Sequence, residues 1–310
     1  MFMKNSVKIF APATISNLGS GFDVIGLAID KPGDIVIAKR TKEPGLSFSL
    51  ETKVKEIPPN PSDNVASFVA QLMLDEFKPK FGVKMTLQKL MPLGSGLGSS
   101  AASSVASVVA INALLPKSLK KIDLLQFAVE GERLASGSPH ADNAAPSLLG
   151  GVCLIRSYYP LDVVQIPVKN NFHWIVVHPH IVIRTEEARN MLPRIIDLRA
   201  AVIQWGNFGG LISALMQVDG KLLGKCVEDV IIEPVRKKLI PSFDDVKQAA
   251  ISNGALGCSI SGSGPSMYAI ADSPTKAKKI ANAMMKEFSK TKIKSEAYIS
   301  KVNVKGAREI

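Results

Sequence analysis

Residues Pro92-Leu93-Gly94-Ser95-Gly96-Leu97-Gly98-Ser99-Ser100-Ala101-Ala102 constrain this chain more than any other stretch. Three glycines at alternate positions permit a tight backbone and a close approach to another group. The segment that follows, Ser103 to Leu115, is small and apolar and reads as a buried helix. The loop therefore runs into a helix N-terminus, where the first amides lack intrahelical partners and the macrodipole favours negative charge. That combination is a phosphate cradle. The Walker pattern does not describe it, because Gly98 is followed by Ser99 rather than by lysine. The dinucleotide pattern G-x-G-x-x-G fails on the spacing Gly94, Gly96, Gly98. A glycine-rich turn capping a core helix is the plainer alternative for this loop taken alone.

The 310 residues are enough for two domains or one large one, with an ample core. A formal charge of +11 would attract nucleotides, phosphorylated substrates or nucleic acid, but the lysines are dispersed and read mainly as a solvated surface. Aromatic residues make up 6% of the chain and do not interleave with basic ones, which argues against a stacking platform for bases and so against a nucleic-acid partner. Cys153, Cys226 and Cys258 are odd in number and lack C-x-x-C spacing, so neither a zinc site nor a disulfide scaffold is expected. The first ten residues carry no secretory-type apolar core, and no run of about 18 apolar residues appears. A cytoplasmic chain with no membrane partner is the expectation.

Strand-like alternation occurs at Val7–Ala11, Asp34–Arg40, Val83–Leu90, Gly151–Arg156, Trp174–His178, Ala255–Ser261, Ser266–Ala271 and Tyr298–Val304. Helices are expected after Ser62 or Asp63, after Asp123 as far as Gly137, after a capping Thr185, at Leu211–Val218, at Phe243–Ser252 and after Ser273-Pro274. Gly206-Asn207-Phe208-Gly209-Gly210 reads as a loop leading into a helix, and Tyr159-Pro160 to Pro167 as a proline-marked connection. Strands and helices mix without strict alternation, which predicts an α+β chain in two domains, 1–167 and 168–310.

Four segments occur in a fixed order: Pro12-Ala13-Thr14-Ile15-Ser16-Asn17-Leu18-Gly19-Ser20-Gly21-Phe22-Asp23, the loop at 92–102, Gly131-Glu132 with His140-Ala141-Asp142-Asn143, and Gly262-Ser263-Gly264-Pro265. Together they resemble the GHMP small-molecule kinases over nearly the whole chain. The opening segment and the His-Ala-Asp-Asn segment resemble the branch of that family that acts on L-homoserine. The resemblance implies an N-terminal domain like the second domain of ribosomal protein S5, holding ATP, and a ferredoxin-like C-terminal domain. It also implies phosphorylation of the L-homoserine hydroxyl with Mg²⁺, and a homodimer. Two departures are small: Ile15-Ser16 stands where the family has Ser-Ala, and Ala144-Ala145-Pro146 where valine-alanine is usual.

The resemblance implies that Pro92, Leu93, Gly94, Ser95, Gly96, Leu97, Gly98, Ser99 and Ser100 hold the nucleotide phosphates, and that Asn64 and Lys89 contact the adenosine. Ser100 and Glu132 match the metal site, with Glu130 as a nearby competitor. Asn17 and Asp23 match the ammonium ligands, Arg189 and Arg236 the carboxylate ligands, and Thr185 a further substrate contact. A guanidinium fork suits a carboxylate better than lysine does. Other members place a catalytic aspartate eleven residues after the metal carboxylate. That count falls on Asn143, which cannot act as a base, so Asn143 and His140 are expected to orient the substrate. Asp142 is left between an uncertain orientation and a helix-cap role. His178-Pro179-His180 lacks the further ligands a metal needs. Two rival readings stand beside this one: a relative acting on another small alcohol, and a silent ligand sensor on the same fold.

Overall fold

The computed structural model describes residues 4–54, 57, 60–169 and 171–310. Among the described residues eleven strands form two sheets, and ten α-helices pack against them. The first sheet contains β1 (Ser6–Ser16), β2 (Ile25–Thr41), β3 (Leu46–Thr52), β4 (Gly82–Lys89), β5 (Val152–Tyr158), β6 (Leu161–Ile166) and β11 (Arg308–Glu309). β2 is long enough to serve two neighbours. Ile25–Leu27 pairs with β5 and Ile35–Thr41 with β4, while β1 runs antiparallel along both halves. Helices α1 (Val65–Phe77), α2 (Ser99–Leu114), α3 (Leu125–Ser136) and α4 (Ala141–Leu149) pack together against this sheet. α2 lies at their centre and is buried almost all round, which its alanines and serines allow because small side chains let neighbours approach on every side.

The second half contributes β7 (His173–Pro179), α5 (Thr185–Asn190), α6 (Leu198–Gln217), α7 (Gly220–Cys226), α8 (Glu233–Arg236), α9 (Phe243–Ser252), β8 (Gly257–Ile260), β9 (Met267–Ala271), α10 (Pro274–Lys290) and β10 (Ser295–Ser300). Its sheet has the order β10-β7-β9-β8 with every pair antiparallel, the fourth-first-third-second order of a ferredoxin-like unit. One face packs on α9 and α10 around Ile175, Val177, Met284 and Phe288. The other face, with Trp174, Val176, Tyr268 and Ile270, joins the core of the first half. The sheets change between Ile166 and His173, yet Arg308–Glu309 returns to β1, so the last residues complete the first sheet.

Several boundaries differ from the sequence reading. Asn64, not Ser62 or Asp63, caps α1, its side chain accepting from the Ala66 amide. Arg184 occupies the cap position of α5, and Thr185 is the first helical residue. Asp123 lies in a 3-10 turn before α3, which ends as expected at Gly137. Gly206–Gly210 is not a loop but the middle of α6, which begins at Asp197, whose side chain accepts from the Arg199 and Ala200 amides. Tertiary packing overrides glycine's low propensity here: a Cβ at Gly210 would lie 2.5 Å from Cys226 Sγ on α7. The proline-marked connection contains β6, which pairs with β5 as a hairpin. All three cysteines are free and buried.

Candidate active site

A cavity of about 540 Å³ lies between the two halves, floored by the glycine loop. Gly94, Gly96 and Gly98 all adopt positive φ. At Gly98 (φ +65) a Cβ would lie 2.2 Å from Thr14 Oγ1, and at Gly96 (φ +74) 2.3 Å from the Ser261 carbonyl, so no other residue fits either position. The loop is held by its carbonyls. Those of Gly94, Ser95, Gly96 and Leu97 accept from the Ile183 amide, the Ser266 amide, the Ser261 hydroxyl and the Thr14 amide. Carbonyls turned into the protein leave the amide edge and the start of α2 to face an anion.

Two of the expected nucleotide positions have other work. Leu97 is fully buried and anchors the loop in the core; neither it nor Pro92 lines the cavity. Lys89, expected at the adenosine, directs its ammonium into the protein. It pairs with the Asp34 carboxylate and donates to the Ser99 carbonyl at 2.7 Å and Ser103 Oγ at 2.9 Å. An ammonium has three donors, and all three are used. Asp34 also accepts from the Leu90 and Met91 amides, so this buried cluster braces the end of β4 to the start of α2 on either side of the loop. Asn64 lines the cavity from the cap of α1.

The other end of the cavity is charged. Asn17, Leu18 and Asp23 all have positive φ, a strained conformation that the surrounding bonds hold in place. Asn17 Oδ1 accepts from the Asp23 amide at 3.0 Å, and Asn17 Nδ2 donates to the Gly262 carbonyl at 3.0 Å. Arg236 Nη1 donates to the same carbonyl at 3.0 Å. Arg189 Nη2 donates to both oxygens of Asp23, at 3.0 and 2.8 Å. Arg236 is 3% exposed, and burial brings it down to about 10, so it stays charged at neutral pH. Thr185 Oγ1 lies 3.3 Å from Ser263 Oγ at the cavity wall.

Between the two ends stand Glu132, His140, Asp142 and Asn143. Glu132 is 4% exposed and its Oε1 has no hydrogen-bond partner. Burial pushes it up to about 7, with the Ser100 hydroxyl and the Lys89 charge partly opposing the rise. Arg189 Nη2 donates to His140 Nε2 at 2.8 Å, so the ring proton sits on Nδ1 and donates to Ser136 Oγ at 2.9 Å. Burial brings His140 down to about 4, consistent with that neutral ring. Asn143 is fixed at both ends of its amide: Thr14 Oγ1 donates to its Oδ1 at 2.7 Å, and its Nδ2 donates to Ser16 Oγ at 3.2 Å.

Asp142 is the residue the sequence reading left undecided. It is buried, it lines the cavity, and its Oδ1 is unpartnered. Burial, then the Asp23 charge, raises its pKa well above the usual carboxylate range. Its adjacency to Asn143 was the available signal, but only the turn into α4 shows which way it points. Glu130 is half-buried, lies outside the cavity lining and pairs with Arg133, which removes it as a competitor to Glu132. His178 is buried and shares a hydrogen bond with Ser266, and no cluster of three metal-ligating side chains occurs among the described residues.

A glycine loop at a helix N-terminus, facing the Arg189–Asp23 pair across one cavity between two α+β halves, fits a small-molecule phosphotransferase. A family model for the GHMP kinase N-terminal domain matches residues 64–151, and one for the GHMP kinase C-terminal domain matches residues 211–290. The chain belongs to the GHMP kinase family. It is 47% identical to a homoserine kinase from Chlorobium phaeobacteroides strain BS1, over 97% of this chain and 98% of the relative. A homoserine kinase from Pyrococcus abyssi is 39% identical, over 97% and 98%. The crystal structure of homoserine kinase from Cytophaga hutchinsonii aligns with a TM-score of 0.95 and 48% identity, over 100% of this chain and 99% of that one. An L. major mevalonate kinase shares the fold at 20% identity and a TM-score of 0.76.

Proposed function

We infer that the protein transfers the γ-phosphoryl group of ATP to the hydroxyl of L-homoserine, giving O-phospho-L-homoserine and ADP on the way to threonine. The observation that carries this reading is the Arg189–Asp23 pair, with the charged Arg236 and buried Asp142 beside it. A zwitterion can enter that arrangement without leaving a charge uncompensated. Its ammonium takes Asp23 and Asp142, and its carboxylate takes Arg189 and Arg236. A substrate with only a carboxylate would draw Arg189 from Asp23 and leave Asp23 unpaired, at a cost of several kcal/mol, and a sugar would offer no charge to either group.

The orphaned, buried Glu132 Oε1 beside Ser100 fits one carboxylate and one hydroxyl on a Mg²⁺ that otherwise binds phosphate and water. When bound, the ion draws charge from the β- and γ-phosphate oxygens. The loop amides and α2 hold the phosphates, while Asn143 and His140 keep the hydroxyl in line with the γ-phosphorus. A bond forms from the hydroxyl oxygen to phosphorus as the bond to the β-γ bridging oxygen breaks. The hydroxyl proton leaves to the transferred phosphate or to solvent. Asn143→Ala is expected to lower kcat at saturating substrate, and full retention of kcat would remove its orienting role.

ADP release with Mg-ATP, comparing L-homoserine with mevalonate, shikimate, galactose and L-threonine, tests the assignment. Turnover confined to L-homoserine and lost in Glu132→Ala is expected. Turnover on another alcohol, or ATP binding without turnover on any, overturns it.

We also take residues 1–167 and 168–310 as the two domains, and a homodimer as the assembly. Over Leu198–Gln217 the one charged residue is Arg199. The exposed face of α6 carries Leu198, Val202, Trp205 and Met216, with open space at Gly206 and Gly209. A two-fold axis would seat each Trp205 over the partner's glycines, the self-complementarity an isologous interface needs. Trp205→Glu should convert a dimeric mass by light scattering to a monomeric one. No helix is long and apolar enough to cross a membrane among the described residues, and three buried free thiols suit the cytoplasm.

A further inference from the structure

The groups that hold the two charges of the substrate come from opposite halves of the chain, and one amide side chain ties their supports together. Gln204 is 7% exposed, on a helix whose outer face is largely open. Its Nε2 donates to the Ser20 carbonyl at 3.1 Å and to Asp229 Oδ1 at 3.0 Å, and its Oε1 accepts from the Val230 amide at 3.0 Å. Ser20 belongs to the strained loop between Asn17 and Asp23. That loop is pressed on the same segment elsewhere: Ser20 Oγ donates to the Cys226 carbonyl at 2.8 Å, and a Cβ at Gly19 would lie 1.9 Å from the Val227 carbonyl oxygen.

Asp229 stands at the other end of the tie. Its Oδ1 accepts from the Ile231 and Ile232 amides at 2.9 and 2.8 Å, and its Oδ2 from the Glu233 amide at 3.2 Å. These bonds cap α8, the four-residue helix that ends in Arg236. A helix that short has no stability of its own, so its direction is set by such bonds. Two donors and one acceptor on a single flexible stem require a primary amide, so glutamate or methionine at 204 cannot reproduce the pattern.

We propose that Gln204, with Asp229, is a positioning residue that fixes the distance between the ammonium-binding loop 17–23 and the carboxylate-binding Arg236. It touches neither substrate, and its effect falls on the amino-acid end of the cavity rather than on the nucleotide end. The proposal rests on the amino-acid kinase reading above.

Steady-state kinetics on the full chain test it, with Gln204→Met, Asp229→Leu, which removes every acceptor at that position, and the double variant. The three bonds lost in Gln204→Met, at about 1 kcal/mol each, correspond to a roughly hundredfold rise in KM for L-homoserine. KM for ATP and kcat should stay within about twofold, a split that a general loss of packing would not produce. The double variant should be little worse than the worse single one, since both break one tie. If Gln204→Met does not fold, the near-isosteric Gln204→Glu, which removes both donors, carries the test. An unmoved KM for L-homoserine, parallel rises in both KM values, or additive effects in the double variant would each overturn the proposal. Wild-type enzyme with no L-homoserine turnover would instead sink the functional reading, and this proposal with it.

Discussion

On the proposed function, the two ends of the cavity receive anions by opposite means. At the nucleotide end a contiguous loop presents backbone amides and a helix N-terminus, with its carbonyls turned into the protein. The lysine beside it, Lys89, is consumed in a buried brace with Asp34. At the amino-acid end the work falls to side chains from separate segments, Asn17 and Asp23, Asp142 and Asn143, Arg189 and Arg236, of which Asp23 is already bonded to Arg189 and, through its amide, to Asn17 before substrate arrives. A backbone site is rigid and does not depend on protonation. A side-chain site selects by charge pattern, and it needs supports that keep its parts in register.

Substitutions should separate the ends. Arg189→Met removes one side of the Asp23 pair and is expected to raise KM for L-homoserine by about a hundredfold or more, as breaking a hydrogen-bonded charge pair costs several kcal/mol. KM for ATP should change little, and an equal rise in both would erase the distinction between the ends. Gly98→Ala places a methyl against Thr14 Oγ1 at a positive φ and should raise KM for ATP roughly tenfold, with strain of about 1–3 kcal/mol showing in the melting temperature. Its KM for L-homoserine should move less than its KM for ATP, measured in the same assay.

A pH dependence sharpens the role of the junction. Burial sets Glu132 at about 7, above its ordinary 4.5, so over that range the folded chain keeps a proton that the unfolded chain releases. The associated stability is full below pH 4.5 and is lost as pH rises through 7. His140 runs the other way, losing stability as pH falls from 6.5 to about 4. Glu132→Gln removes only the first slope. Its melting temperature relative to wild type should therefore climb between pH 5 and pH 8, by the equivalent of up to roughly 3 kcal/mol. Mg-ATP should flatten the difference by stabilising ionised Glu132 in wild type. A difference that does not vary with pH would mean Glu132 is not held protonated.

The glycine loop and α2 were legible because their chemistry is local: a run of neighbouring residues supplies the turn, the amides and the small side chains. Pairings over long distances were not. Nothing near Lys89 in sequence points to Asp34, and nothing near Gly206 or Gly209 shows that the Asp197 cap and the packing of Gly210 on α7 carry one helix through them. Asp142 shows the same limit, since its orientation follows from how α4 sits against β2. β6 and β11 gain their hydrogen bonds only from strands already in place. By itself the sequence determined the tight glycine loop running into a buried helix, the α+β mixture and the charged side chains available near the cavity. Tertiary structure alone decided which charges meet, which lysine is consumed inside the protein, and how Gln204 holds the two halves of the amino-acid site. Short-range backbone preferences are written in adjacent residues, whereas the energy of a charge depends on what the fold brings within a few ångströms of it.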